Sequence, residues 1–349
     1  MVEIGRSKAN KSKFSNPAIF YWRIAQAAVW LVGLFIFISL VFWPDLGINL
    51  FWNVLIPVAP LLFVVAVGVW RNICPLATTT LLPRHFGLSK KRKLTFSQIG
   101  KLNLIGVVFL YLIVPVRHML FDASGLATAL LIAFLVVVGL VTGFFFDWKS
   151  AWCSGLCPVH SVEKLYGSNV LASPANAHCT ACVNCVTPCP DSTPNYHPVV
   201  TQKTMYHKLT GILITGGLPG FVWGWFHVAD RIALPGLISL LPDFFLPITG
   251  LLVSAFLYFG IRQVVNPKAE KVLNRIFAAA GVSIYYWYRL PALIGFGLFE
   301  NDGQLINLAD KIPSWTVTLM TIGTTVFFFY WLVVRDQNKK SWAKRPNFA

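Results

Sequence analysis

Apolar stretches of about twenty residues, the length a helix needs to cross the hydrocarbon layer of a bilayer, recur along this chain. They lie near 20–43, 48–70, 103–121, 125–147, 209–227, 245–265, 277–299 and 314–334, each bounded by charge, proline or glycine. About eight transmembrane helices are predicted, so the expected fold is an all-α polytopic membrane protein. The fifth stretch, LTGILITGGLPGFVWGWFH, is rich in glycine and proline, and the seventh carries Arg289 and Pro291 in its outer half. Both are candidates for broken helices.

Lysine and arginine decide the orientation, because connections rich in them stay in the cytoplasm. The N-terminus, the connections near 71–102, 148–208 and 262–276, and the tail from Arg335 hold 24 of the 29 Lys and Arg residues. The alternate connections hold Asp45, Asp122, Asp230, Asp243, Glu300, Asp302 and Asp310, with only Arg231 and Lys311 as basic residues. Both termini are therefore expected in the cytoplasm of a bacterium, the chain crossing its inner membrane several times. The first sixteen residues are polar and basic with no small-residue cleavage site, so the first helix is expected to remain as an anchor.

Composition agrees with the pattern. Hydrophobic residues make up 56% of 349 positions and only 12% are charged, and the mean hydropathy is +0.64, values far from those of a soluble domain. The net charge of +16 would raise nucleic acid as a partner in a soluble protein. Here it follows from topology and attraction to an anionic inner leaflet, so lipid is the expected partner and nucleic acid is not. The basic runs near Lys90 and in the tail after Arg335 read as simple positive-inside anchoring. Trp22, Trp43, Trp52, Trp70, Trp148, Trp315 and Trp331 sit near span ends, as an interfacial aromatic belt does.

Seven cysteines carry the candidate chemistry. Cys179, Cys182, Cys185 and Cys189 form a CxxCxxCxxxCP run, the spacing by which bacterial ferredoxins hold a [4Fe-4S] cluster. Three thiolates from one tight loop fit one face of a cubane, and the fourth, with its proline, leaves the loop. Zinc is the alternative, although it more commonly takes CxxC pairs well separated in sequence. Cys153-x3-Cys157-Pro158 repeats the second half of such a run. Cys74-Pro75 stands in the corresponding place at the end of the second span, so WRNICPLATTT and WCSGLCPVHSV mark an internal repeat of two hairpins. Parallel repeats of this kind place corresponding residues around a common axis, so Cys74, Cys153 and Cys157 are expected to face one another.

Two ligand assignments stay open. Either Cys157 joins Cys179, Cys182 and Cys185 while Cys189, Cys153 and Cys74 hold a second cluster, or the run holds one cluster by itself. His160, His85 and His178 are the nearby candidates for a non-cysteine ligand. At the opposite face, His118 beside Arg117, His227, and Arg289 stand near helix ends. A quinone headgroup would suit Arg289, whose place in a span requires a partner or polar cavity. A b-type haem between two histidines is the less favoured reading, helix-end histidines facing headgroups being commoner.

Paired hairpins ending in CxxxCP, followed by a ferredoxin run, resemble the polyferredoxin-like membrane proteins of the NapH, NosR and CcoG type over about residues 50–200. The resemblance implies an electron-transfer or maturation component exchanging electrons with quinol or a metalloenzyme, with ligand roles for Cys74, Cys153, Cys157, Cys179, Cys182, Cys185 and Cys189. This sequence departs from the pattern where Trp70 replaces the leading cysteine of the first motif. The flavin domain of the NosR type and the immunoglobulin-like domain of the CcoG type have no counterpart here, so NapH is nearest in outline.

The expected organisation is 1–147 as helices one to four in two repeated hairpins, 148–208 as a cytoplasmic cluster-binding segment, and 209–349 as helices five to eight with a basic tail. The expected function is electron transfer between the quinone pool or another donor and a partner redox protein, through one or two [4Fe-4S] clusters. An electron-transfer subunit rather than a stand-alone enzyme is expected. An accessory subunit of a respiratory or photosynthetic complex, and a metalloenzyme assembly factor, are the alternatives.

Overall fold

The computed structural model describes residues 17–146, 151–179, 191, 204–230, 241–299, 303–336 and 341–344. Among these, seven helical stretches are long and apolar enough to cross a membrane: Ile19–Phe42, Pro44–Thr80, Phe96–Phe121, Gly125–Phe145, Met205–Phe226, Leu241–Val264 and Trp315–Val334. The chain is an all-α polytopic membrane protein. Its helices are α1 (Pro17–Phe42), α2 (Ile56–Ile73), α3 (Pro75–Thr80), α4 (Phe96–Val116), α5 (Gly125–Phe145), α6 (His160–Tyr166), α7 (Met205–Ile212), α8 (Leu218–Phe226), α9 (Leu241–Val264), α10 (Pro267–Leu293) and α11 (Trp315–Phe329).

The predicted seventh span, 277–299, needs correction. It belongs to α10, which starts at Pro267, ends at Leu293 and runs unbroken past Arg289 and Pro291. Tyr285, Tyr286, Tyr288 and Arg289 leave it outside the set of apolar spans. Asn274, Ser283, Tyr286 and Arg289 are buried, because neighbouring helices rather than lipid surround this face. A helix sheltered in this way can carry polar groups that lipid would not tolerate. The predicted fifth span also continues from Met205 to Phe226, with a wider turn at Leu213–Gly217. Tyr111 of α4 donates its hydroxyl to the Leu213 carbonyl at 2.7 Å, occupying an acceptor at that turn.

α2 is an irregular element, and two of its irregularities are partnered by other segments. The Tyr286 hydroxyl donates to the Pro57 carbonyl at 2.6 Å and accepts from Leu61 N–H at 3.1 Å. It has inserted between two groups that an undisturbed helix would pair with each other. Further along, Ala66 leaves the helical region at φ −146°, ψ 47°. The neighbouring carbonyls are taken by other segments: Trp331 Nε1 donates to Val64 at 3.1 Å, and Leu171 N–H donates to Val65 at 2.9 Å. Trp331 is half-buried and hydrogen-bonds inward. Trp52 is buried and donates to Thr128 Oγ1 at 3.1 Å, whereas Trp43 and Trp315 are exposed as belt residues should be.

α8 and α9 meet through glycine. A Cβ on Gly220 would lie 2.0 Å from the Gly250 carbonyl oxygen, and one on Gly224 would lie 2.3 Å from that of Leu246. Backbone-to-backbone approach of this kind is how small residues pair helices in lipid. Gly220→Val is therefore expected to force α8 and α9 apart and cost about 1–3 kcal/mol. A lower thermal midpoint of the detergent-solubilised protein would be the sign, and an unchanged midpoint would show that the pair does not pack this closely.

Candidate functional site

The two Cys-Pro sequences end helical segments in the same way. A residue before proline is pushed out of the α region, and Cys74 accordingly stands at φ −55°, ψ 118° after the last turn of α2. Cys157, before Pro158, stands at φ −60°, ψ 118° after the helical segment Trp152–Leu156. A short helix follows each, α3 or α6. The sequence repeat is thus also a repeat of backbone conformation, and it carries the side chains to one place. Cys74, Cys153 and Cys157 pack in a single apolar cluster with Ala77, Leu81 and Trp152.

Burial pushes the Cys157 thiol well above its usual range, with Glu163, Cys153 and Cys74 adding to the effect. Such a thiol keeps its proton until a cation replaces it. The three sulfurs offer soft donors behind apolar walls, but they are not drawn within 4.8 Å of one another as the His118, Asp122 and Asp230 ligand atoms are.

Arg71, one turn before Cys74, ties this cluster to the segment that opens the CxxCxxCxxxCP run. Its guanidinium is 6% exposed. Nε donates to Asp191 Oδ1 at 2.6 Å, Nη1 pairs with Glu163, and both Nη1 and Nη2 lie about the limit of hydrogen bonding from the Cys153 carbonyl, at 3.5 and 3.4 Å. The Arg71 carbonyl accepts from His178 Nε2 at 2.9 Å. Asn72 extends the contact, donating Nδ2–H to Ala175 O at 2.8 Å and accepting from Ala177 N–H at 3.2 Å. Asn176 donates Nδ2–H to Asp191 Oδ2 at 3.2 Å, and its own carbonyl accepts from Cys179 N–H at 3.3 Å. Cys179 begins the run and Asp191 follows it, and both stand in this network. Cys182, Cys185 and Cys189 lie outside the described residues.

The candidate imidazoles have other engagements. His160 is buried, and its Nδ1 lies 3.2 Å from Arg71 Nη1, which can only donate. Burial first, and the Arg71 charge with it, lower its pKa to about 4 against the pull of Glu163. Burial would raise the Glu163 carboxyl, but Arg71 and His160 outweigh it and hold the group below its usual range. His178 is buried on the Arg71 carbonyl, and His85 is exposed.

A second polar cluster occupies the opposite end of the bundle. Arg289 is 0% exposed; its Nη2 donates to the Trp52 carbonyl at 3.2 Å and to Asn53 Oδ1. Arg117 Nη2 donates to the same Asn53 oxygen at 3.2 Å, and Arg117 Nε pairs with Asp122 at 2.8 Å. Gly303 leaves room for this arrangement, since a Cβ there would stand 2.6 Å from Asn53 Oδ1 and 2.7 Å from Arg289 Nη1. His118 is buried, its Nδ1 on Asp230 and its Nε2 on the Trp225 carbonyl at 3.0 Å. Burial would raise the Asp230 carboxyl, but the His118 hydrogen bond and the Arg117 and Arg289 charges hold it below the usual range. The ligand atoms of His118, Asp122 and Asp230 are close enough to hold a metal ion, yet Arg117 already neutralises Asp122 and both His118 nitrogens are occupied. Among the described residues this end is a network of ion pairs and hydrogen bonds. His227 is elsewhere engaged, its Nδ1 2.7 Å from the Trp223 carbonyl.

Sequence reasoning counted Arg71 as one more positive-inside charge and passed over Glu163, Asp191 and Asn53. The available signal was the juxtaposition of Arg71 with Cys74 and of Asp191 with Cys189-Pro190, where a charge abuts a ligand-type residue at a span end. No family model, curated protein or solved structure matches this chain.

Proposed function

We propose that this chain is an electron-transfer protein of a bacterial cytoplasmic membrane, carrying at least one [4Fe-4S] cluster at its basic, cytoplasmic end. The observation that carries the reading is the convergence of Cys74, Cys153 and Cys157, delivered by two repeated Cys-Pro turns, beside the segment that begins the ferredoxin-type run. The likeness to NapH-type proteins supports the same assignment.

Bound there, an iron-sulfur cluster supplies a one-electron couple that makes and breaks no bonds to carbon. The chain does the rest. Its cysteines would hold the group, and Ala77, Leu81, Trp152 and Leu156, which pack with Cys74, Cys153 and Cys157, would keep water from it. Arg71, paired with both Glu163 and Asp191, would position these residues beside the cysteines, a polar shell that tunes such a group. An electron enters from a reduced donor, quinol or a redox protein, and leaves to an oxidised partner protein.

The test is iron and acid-labile sulfide on anaerobically purified protein, with electron paramagnetic resonance before and after dithionite. Iron and sulfide in equal amounts, about four or about eight of each per chain, are expected, with a signal on reduction. Cys74→Ser and Cys153→Ser should each alter that signal or the iron content. Zinc in place of iron would sink the proposal, and wild-type spectra in both variants would remove Cys74 and Cys153 from the ligand set.

A further inference from the structure

We propose that the C-terminal segment Ser341–Lys344 is a latch that closes the cysteine end of the protein, with Trp342 as the positioning residue. The tail reads in sequence as a basic anchor, but two of its residues, Trp342 and Ala343, are built into the interior. Trp342 is 0% exposed and Ala343 is also buried.

The latch touches α2, the segment after α6 and both flanks of the CxxCxxCxxxCP run. The Trp342 indole donates Nε1–H to the Gly167 carbonyl at 2.9 Å and lies under two cations, Lys164 Nζ at 4.3 Å and the Arg71 guanidinium at 5.4 Å from the ring centre. Its backbone sits against α2 at Gly68, where a Cβ would stand 1.8 Å from the Trp342 oxygen. Ala343 N–H donates to the Asp191 carbonyl at 2.8 Å. Lys344 N–H donates to the Pro174 carbonyl at 2.8 Å, and the Lys344 carbonyl accepts from Asn176 N–H at 3.0 Å, a short parallel bridge. Ser173 Oγ donates to the Ser341 carbonyl. The tail therefore holds Pro174–Asn176 before the CxxCxxCxxxCP run and Asp191 after it, and Trp342 stacks on the guanidinium that joins both to α2.

A segment that binds both flanks of the run and packs on Arg71 controls how often this end opens. Anchoring alone requires charge at the surface; it does not require a buried indole or a glycine cut to its backbone. That the latch preserves a bound cluster rests on the electron-carrier reading; that it shields the thiols does not.

The experiment compares the full-length wild type with Trp342→Ala and Trp342→Phe in detergent. Metal-free protein is pulse-labelled with a maleimide and the rates at Cys153 and Cys157 are read by mass spectrometry. Trp342→Ala should label about a hundredfold faster, the local-opening equivalent of losing a buried Trp, with Trp342→Phe between. Iron loss to a chelator from anaerobic protein should accelerate in the same order, with helical content by circular dichroism unchanged. If Trp342→Ala fails to accumulate, the same rates are read on Trp342→Phe and Trp342→Leu. Labelling within twofold of the wild type, in Trp342→Ala or in the variants that replace it, would overturn the latch. Faster labelling in a protein whose wild type binds no iron would keep the latch and remove the electron-carrier reading.

Discussion

Replacing Arg71 with alanine is expected to destabilise the cysteine end by about 3–5 kcal/mol, the largest effect of any single substitution considered for this protein. Most of the cost would come from what is left behind. Glu163 and Asp191 are both buried and both pair with Arg71, so its removal strands two carboxylates away from water. Arg71→Lys should recover little, because an ammonium cannot reach Asp191 through one nitrogen and Glu163 through another. The triple variant Arg71→Met, Glu163→Gln, Asp191→Asn should recover much of the loss, since it removes the stranded charges together. Unfolding midpoints in denaturing detergent would measure all three. If Arg71→Ala unfolds with the wild type, the guanidinium is not the hub that its contacts describe.

Acid should weaken the same end of the metal-free protein. His160 has an ordinary value of 6.5 and about 4 in the fold, so the unfolded chain takes up a proton first as pH falls. The stability contributed by keeping this ring neutral is complete above about pH 6.5, drains away between 6.5 and 4, and amounts to about 3 kcal/mol. Glu163 acts in the same direction at lower pH. Its carboxyl is held below the ordinary 4.5, so its contribution is present above that value and is lost as pH falls through the folded one. Denaturation midpoints of the wild type should therefore decline from pH 7 to pH 4, and His160→Gln should flatten the upper part of that decline. Superimposable pH curves for the two proteins would rule out His160 as the source.

The contrast between the two ends shows what a linear reading captures. Seven of the eight predicted spans correspond to apolar helical stretches, because lipid selects for runs of apolar residues that need no knowledge of neighbours. α10 escaped that rule for the same reason in reverse. Its solvent is protein, so Asn274, Ser283 and Arg289 are tolerated and the apolar run is diluted. Trp52 and Trp331 look like belt residues by position alone, yet both donate hydrogen bonds inside the bundle.

At the cysteine end, the Cys-Pro repeat was legible because a local steric rule, the restriction of a residue before proline, acts identically at Cys74 and Cys157. The hub was not. Arg71, Glu163, Asp191 and Trp342 stand far apart in the chain, and no spacing rule links them. By itself the sequence determined the membrane class, most of the spans, and which cysteines could meet, since each follows from hydropathy or local backbone preference. Only the tertiary structure decided that a guanidinium joins those cysteines to the flanks of the CxxCxxCxxxCP run and that Trp342 of the tail packs against that guanidinium, because the burial that makes charge pairing and indole packing strong exists only once distant segments have excluded water together.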